Sequence, residues 1–141
     1  MKDLGLITAT INNMAPVLKS VRWQLFHRSA DLEFCEEGKS VVLKLRGVHF
    51  MSTRQSLVGP EGNELPEGNY VDYFEITDSS PLIQGFVQGD LGLIGDVILY
   101  DLAGRAKEAP GFSRPVHVTV NCSDGILDVI CEEAILDETA A

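Results

Sequence analysis

Apolar and polar residues alternate most regularly over residues 115–133, PVHVTVNCSDGILDVICEE. A period of two predicts a β-hairpin, closed at Asp124-Gly125, where both residues tolerate positive φ. That turn sets Cys122 opposite Leu127, Val120 opposite Val129, Val118 opposite Cys131 and Val116 opposite Glu133. One face then carries Val116, Val118, Val120, Cys122, Leu127, Val129 and Cys131. The other carries His117, Thr119, Asn121, Asp128 and Glu132, with Ile126 and Ile130 among them. A slip of one residue would set Val120 against Asp128 and destroy the match.

Residues 30–45, ADLEFCEEGKSVVLKL, repeat the pattern. A turn at Glu37-Gly38 places Phe34 opposite Val41, Leu32 opposite Leu43 and Ala30 opposite Leu45, all on one face. Asp31 then faces Lys44 on the reverse side, an opposite-charge cross-strand pair. The apolar parity changes at Gly47, a natural bulge, after which Val48 and Phe50 are the apolar positions.

The remaining segments are less regular. Leu4, Ile7, Ile11, Met14, Leu18, Val21 and Leu25 recur at helical spacing, but Pro16 interrupts them. Asn13 as a cap predicts a helix over about residues 13–20, with Pro16 in its first turn and residues 4–11 either helix or strand. Residues 23–26 read as a strand. Residues 52–69 hold two prolines, three glycines and three glutamates and read as a long polar loop. Residues 70–77 alternate as a third clear strand. Residues 82–88 and 91–102 read as two more, separated by Gly89-Asp90. Residues 103–114 are turn-rich, and Ala134 to Leu136 extend the last strand. The sum is a mainly β fold in one domain over residues 1–141. It is an antiparallel sandwich or partly open barrel of about seven to eight strands with one short N-terminal helix.

Composition sharpens the functional question. The formal net charge is −10, with 11 basic residues against 21 acidic ones and no basic stripe. This disfavours nucleic acid and leaves a soluble surface or a basic protein partner. No apolar run reaches membrane-spanning length, and the N-terminus is a poor signal peptide, so the expected location is cytoplasmic, without a membrane partner. Three cysteines, Cys35, Cys122 and Cys131, with no CxxC pair, argue against a disulfide framework.

Candidate chemistry is sparse. His27, His49 and Cys35 are the side chains that a fold could gather round a metal, but no ligand spacing supports it, and neither metal nor cofactor is expected. His117 and Glu132 fall as cross-strand neighbours, either an oriented imidazole or, as favoured here, a surface ion pair. The stretch Gly89 to Gly95 lacks the lysine and helix of a phosphate loop.

Phe26-His27-Arg28-Ser29-Ala30-Asp31-Leu32, with the strand Val41 to Leu45, resembles the entry to the first strands of small acidic immunity-type proteins of bacterial polymorphic toxin systems. Arg28 stands where an acidic residue would match better. That resemblance implies binding and neutralising a cognate toxin, without catalysis.

The leading expectation is a non-enzymatic acidic protein that binds another protein, with Glu61, Glu64 and Glu67 of the long loop and the polar sheet faces as contacts. A second is a small-ligand-binding or hydrolytic β protein, with Trp23, Tyr70, Tyr73 and His49 lining a cavity between sheets. A third is a homo-oligomer formed through an exposed Ile126 and Ile130. If the hairpin faces are core and surface as read, Val120→Asp should abolish soluble expression and Thr119→Asp should be tolerated, which small-scale expression trials would check.

Overall fold

The structure is a computed structural model. It describes residues 4–14, 16–24, 27–54, 63–64, 69–88, 97–101, 115–123 and 125–138, with backbone alone for 63–64, 85–88 and 97–101. The elements are α1 (Leu4–Met14), β1 (Val17–Gln24), β2 (Ser29–Glu36), β3 (Lys39–Arg46), β4 (Phe50–Thr53), β5 (Asn63–Glu64), β6 (Val71–Thr77), α2 (Pro81–Gln88), β7 (Val97–Asp101), β8 (Val116–Cys122), β9 (Gly125–Cys131) and β10 (Glu133–Asp137). The strands form two antiparallel sheets, ordered β10-β3-β2-β1-β5 and β6-β8-β9-β4-β7.

The two sheets pack as a sandwich whose inner faces are the apolar hairpin faces. Leu32, Phe34, Val41, Leu43 and Leu45 of the first sheet share one buried cluster with Phe74, Val116, Val118, Val120, Leu127 and Val129 of the second. Phe34 and Phe74 meet edge to face across the interface, with centroids 5.6 Å apart. Each such side chain contributes about 1.5–3 kcal/mol before ordering entropy is subtracted.

The β2–β3 hairpin has the expected register, with Phe34 opposite Val41, Leu32 opposite Leu43 and Asp31 opposite Lys44. Glu37 and Gly38 take φ of 28° and 78°, the left-handed pair that matches strand twist. The β8–β9 hairpin differs. Cys122 pairs Gly125, Val120 pairs Leu127 and Val118 pairs Val129, so the reversal falls between Cys122 and Gly125. The offset from the expected register is two residues, which preserves which side chains face inward. It does change the neighbours of His117, as described below.

Two helix assignments are corrected. The N-terminal helix occupies Leu4–Met14 rather than 13–20. Pro16 lies beyond its end and leads into β1, because the ring disfavours helix for the residue before it. Residues 81–88 form α2, not a strand. Ser80 caps it, with Oγ accepting the Ile83 N–H at 3.1 Å, and Pro81 stands at the first helical position, where no N–H is needed.

Residues 52–69 are not a continuous loop among the described residues. Ser52 and Thr53 belong to β4, and Asn63 and Glu64 pair with β1 as β5. The glycine stretch 89–95 and the connection 103–114 lie outside the described residues.

α1 performs a specific task at the free side of β6. Ile7, Ile11 and Met14 point into the core. The Asn12 carboxamide donates to Phe74 O at 2.8 Å and accepts the Phe74 N–H at 3.1 Å. Thr8 Oγ1 accepts the Ile76 N–H at 3.3 Å. Side chains of a helix thereby stand in for the next strand, which protects an edge that would otherwise pair with another chain. Asn12→Ala should cost about 1–2 kcal/mol in urea denaturation and raise the tendency to associate in light scattering. Unchanged values in both would contradict this role.

Candidate functional site

The expected site residues fall in four places. His49 and Glu132 meet at one corner of the sandwich. His117 stands on the outer face of the second sheet, and Trp23 lies opposite Ala30 on the core side of the first, at the border of a concavity. Tyr70 and Tyr73 lie on or beside β6. Glu61 and Glu67 lie outside the described residues, and Glu64 is placed by its backbone in β5.

At the corner, two chain segments cross between sheets together. β3 passes through Gly47–His49 into β4, and β9 passes through Glu132 into β10. The Glu132 N–H is shared between Arg46 O at 3.1 Å and Gly47 O at 3.2 Å, and the His49 N–H donates to Ile130 O at 2.8 Å. Arg28 joins them from the β1–β2 turn, where its φ is 49°. Its backbone carbonyl accepts the Val48 N–H at 2.9 Å, and its Nε donates to Val48 O at 3.2 Å. Arg28 Nη2 lies 3.0 Å from both imidazole nitrogens of His49 and 3.7 Å from Glu132 Oε2. Glu132 Oε1 is 3.6 Å from His49 Nε2. The His49 side chain is buried at 1% exposure. Burial first and the Arg28 guanidinium second hold its pKa below the ordinary imidazole value, with Glu132 pulling the other way.

His117 is not a partner of Glu132. The two-residue change of register sets it opposite Ile130 and diagonal to Asp128. His117 Nε2 is 2.7 Å from Asp128 Oδ1, its Nδ1 is 3.0 Å from Ser80 Oγ, and Thr119 Oγ1 donates to Asp128 Oδ1 at 3.2 Å. With its proton on Nε2, a neutral imidazole donates to Asp128 and accepts from Ser80. Serine, histidine and aspartate in this order also form the proton relay of acyl-transfer enzymes. Here Ser80 Oγ is engaged as the cap of α2, so the chain Ser80–His117–Asp128 fastens that helix to the sheet.

This outer face is not open. Asp128 is 5% exposed and Ile130 fully buried, and Ile126 is half-buried. The exposed isoleucine pair expected from the sequence does not exist, because α2 lies against β8 on that side.

On the outer face of the first sheet a concavity of about 450 Å³ is lined by Arg22, Trp23, Gln24, His27, Ser29, Asp31 and Arg46. It lies outside the sandwich, not between the sheets. Trp23 therefore lines a cavity, but Tyr70, Tyr73 and His49 do not share it. Arg46 Nη1 donates to Asp31 Oδ1 at 2.8 Å and to Leu45 O at 2.9 Å. Lys44, expected to pair with Asp31, pairs with Asp137 of β10 at 3.1 Å instead. Glu33 is held by Lys19, Ser20 and Ser40. The Trp23 Nε1 is buried with no hydrogen-bond partner among the described residues.

Tyr70 and Tyr73 are 59% and 48% exposed, and Leu6 of the adjoining α1 is 66% exposed. Asp72 and Asp78 are exposed beside them, and the Tyr73 hydroxyl donates to Glu75, whose carboxylate raises the phenol pKa mainly by accepting that bond.

The three cysteines are free thiols, and Cys131 is buried, which pushes its pKa to about 12. Among the described residues no group of three His, Cys, Asp or Glu side chains could hold a metal ion. Among the same residues no helix is long and apolar enough to cross a membrane.

No protein-family model matches the chain, and no curated protein does.

Two outcomes follow. The Thr119→Asp substitution should be destabilising rather than tolerated, since it sets a second carboxylate beside buried Asp128, and Val120→Asp should remain the more damaging. Equal melting temperatures for Thr119→Asp and wild type would refute this. For His49, the unfolded chain takes up a proton before the folded one does. Stability from the corner is therefore full above the ordinary imidazole pKa of about 6.5 and is lost as pH falls below it. The urea midpoint should fall more steeply between about pH 7 and about pH 5 in wild type than in His49→Gln; parallel slopes would exclude it.

Proposed function

We propose that this protein acts by binding another protein, of basic surface, and not by catalysis. The observation that carries this reading is the pair of exposed tyrosines on and beside β6, framed by Asp72, Glu75 and Asp78. Tyrosine is enriched at interface hot spots because a rigid ring buries much area at small entropic cost. The surrounding carboxylates and the net charge of −10 favour approach of a cationic partner and act mainly on association rate. Histidines His49 and His117 are engaged in the corner and in the anchoring of α2, which leaves them structural work. A toxin neutralised in the manner of immunity-type proteins is one partner of the right character.

A cross-linking search in the native cell, followed by titration of the recovered partner, tests the reading. The Tyr70→Ala, Tyr73→Ala double variant should bind at least about tenfold more weakly, a loss of about 1.4 kcal/mol, and wild-type association should slow as salt rises. A partner whose affinity and salt response ignore both tyrosines would sink the proposal.

A further inference from the structure

The outer concavity of the first sheet has a chemistry opposite to that of the molecule. The chain carries a formal net charge of −10, yet this hollow is lined by two arginines, Arg22 and Arg46, against the single carboxylate of Asp31. Asp31 is committed to Arg46 at 2.8 Å. Glu33, the next acid along β2, is committed to Lys19, Ser20 and Ser40. Arg22 lies opposite Asp31 in the β1–β2 register, and with both acids engaged it forms no ion pair among the described residues. One positive charge is left over at the wall of a volume of about 450 Å³, the size range of small-molecule sites.

The lining is also rich in donors. A guanidinium offers several N–H groups and accepts nothing, and Gln24 and Ser29 add an amide and a hydroxyl. Such a set is matched by an oxyanion, which accepts from several donors at once. The field of a chain charged −10 opposes an anion at long range, but salt screens it beyond about 8–10 Å. Affinity there depends on local donors.

We propose that this concavity binds a small organic oxyanion, its charged head held by Arg22 with further donors from Gln24 and Ser29. The inference is independent of the tyrosine surface on β6. Trp23, the only tryptophan in the chain, packs against the core, so binding in the hollow is read by heat and not by its fluorescence.

The test is a calorimetric titration of the full chain with phenyl phosphate, benzoate and benzyl alcohol, three probes that share a ring and differ in head group. A saturable change with either anion supports the proposal, and the tighter of the two identifies the head. Arg22→Gln, at an exposed position that should leave the fold intact by circular dichroism, should weaken binding roughly tenfold or more. Lys39→Gln, at the exposed far end of β3 from Arg46, should bind as wild type does. No signal up to about 10 mM of either anion would overturn the proposal. So would benzyl alcohol binding as tightly as the anions, an Arg22→Gln variant equal to wild type, or an equal loss in Lys39→Gln.

Discussion

The sandwich depends on how two chain segments pass from one sheet to the other at a single corner. β3 and β10 are neighbours in the first sheet, and β4 and β9 are neighbours in the second. Pairing therefore continues through the bend, and Glu132 and His49 keep the main-chain bonds going where the strands break. Gly47 makes the bend in one residue at φ 66°, and a Cβ there would come within 2.1 Å of Glu132 Oε2. The turn needs glycine on both counts. A buried imidazole between an arginine and a glutamate completes the joint, and it tolerates little change because an uncompensated charge there is expensive.

The rest of the structure covers what that joint leaves open. α1 lends side-chain amide and hydroxyl groups to β6, while α2, held through Ser80 and His117, lies over the second sheet. The two outer faces consequently differ. That of the second sheet is partly buried beneath a helix. That of the first stays wet and carries a lattice of ion pairs, Lys19–Glu33, Arg46–Asp31 and Lys44–Asp137. Exposed pairs of this kind add little stability each, and they set which charges remain available on the surface.

Much of this was legible from the chain, where local rules act alone. Glu37-Gly38 dictated the β2–β3 register because both residues could take left-handed φ. The β8–β9 faces were readable and their register was not, since an Asp-Gly pair competes with the Ser-Asp step just before it, and both choices keep the same face inward. α1 was obscured because Pro16 serves equally as a first-turn residue of one helix or as the stop beyond another. α2 carried its signal in Ser80-Pro81, a cap followed by a first-position proline, but its apolar residues 82–88 also suit a strand. The grouping of Arg28, His49 and Glu132 had no sequence signature. It arises from strand order, which spacing does not encode, and the same is true of Ser80 against His117 and of Arg22 beside Arg46.

The joined corner also bears on the order of events during synthesis. Val48 finds a partner early, in Arg28, but the Gly47 carbonyl and the His49 N–H find theirs in Glu132 and Ile130, more than eighty residues later. While the ribosome is still making the second half, the β1–β3 meander can form from local contacts, but its passage into β4 has nothing to zip against. Arg28 and His49 wait in water, where the imidazole is free to ionise. Closing so long a loop is entropically slow. Until β9 is made, the nascent protein is half a sandwich, with the oily side of one meander uncovered and in need of shelter.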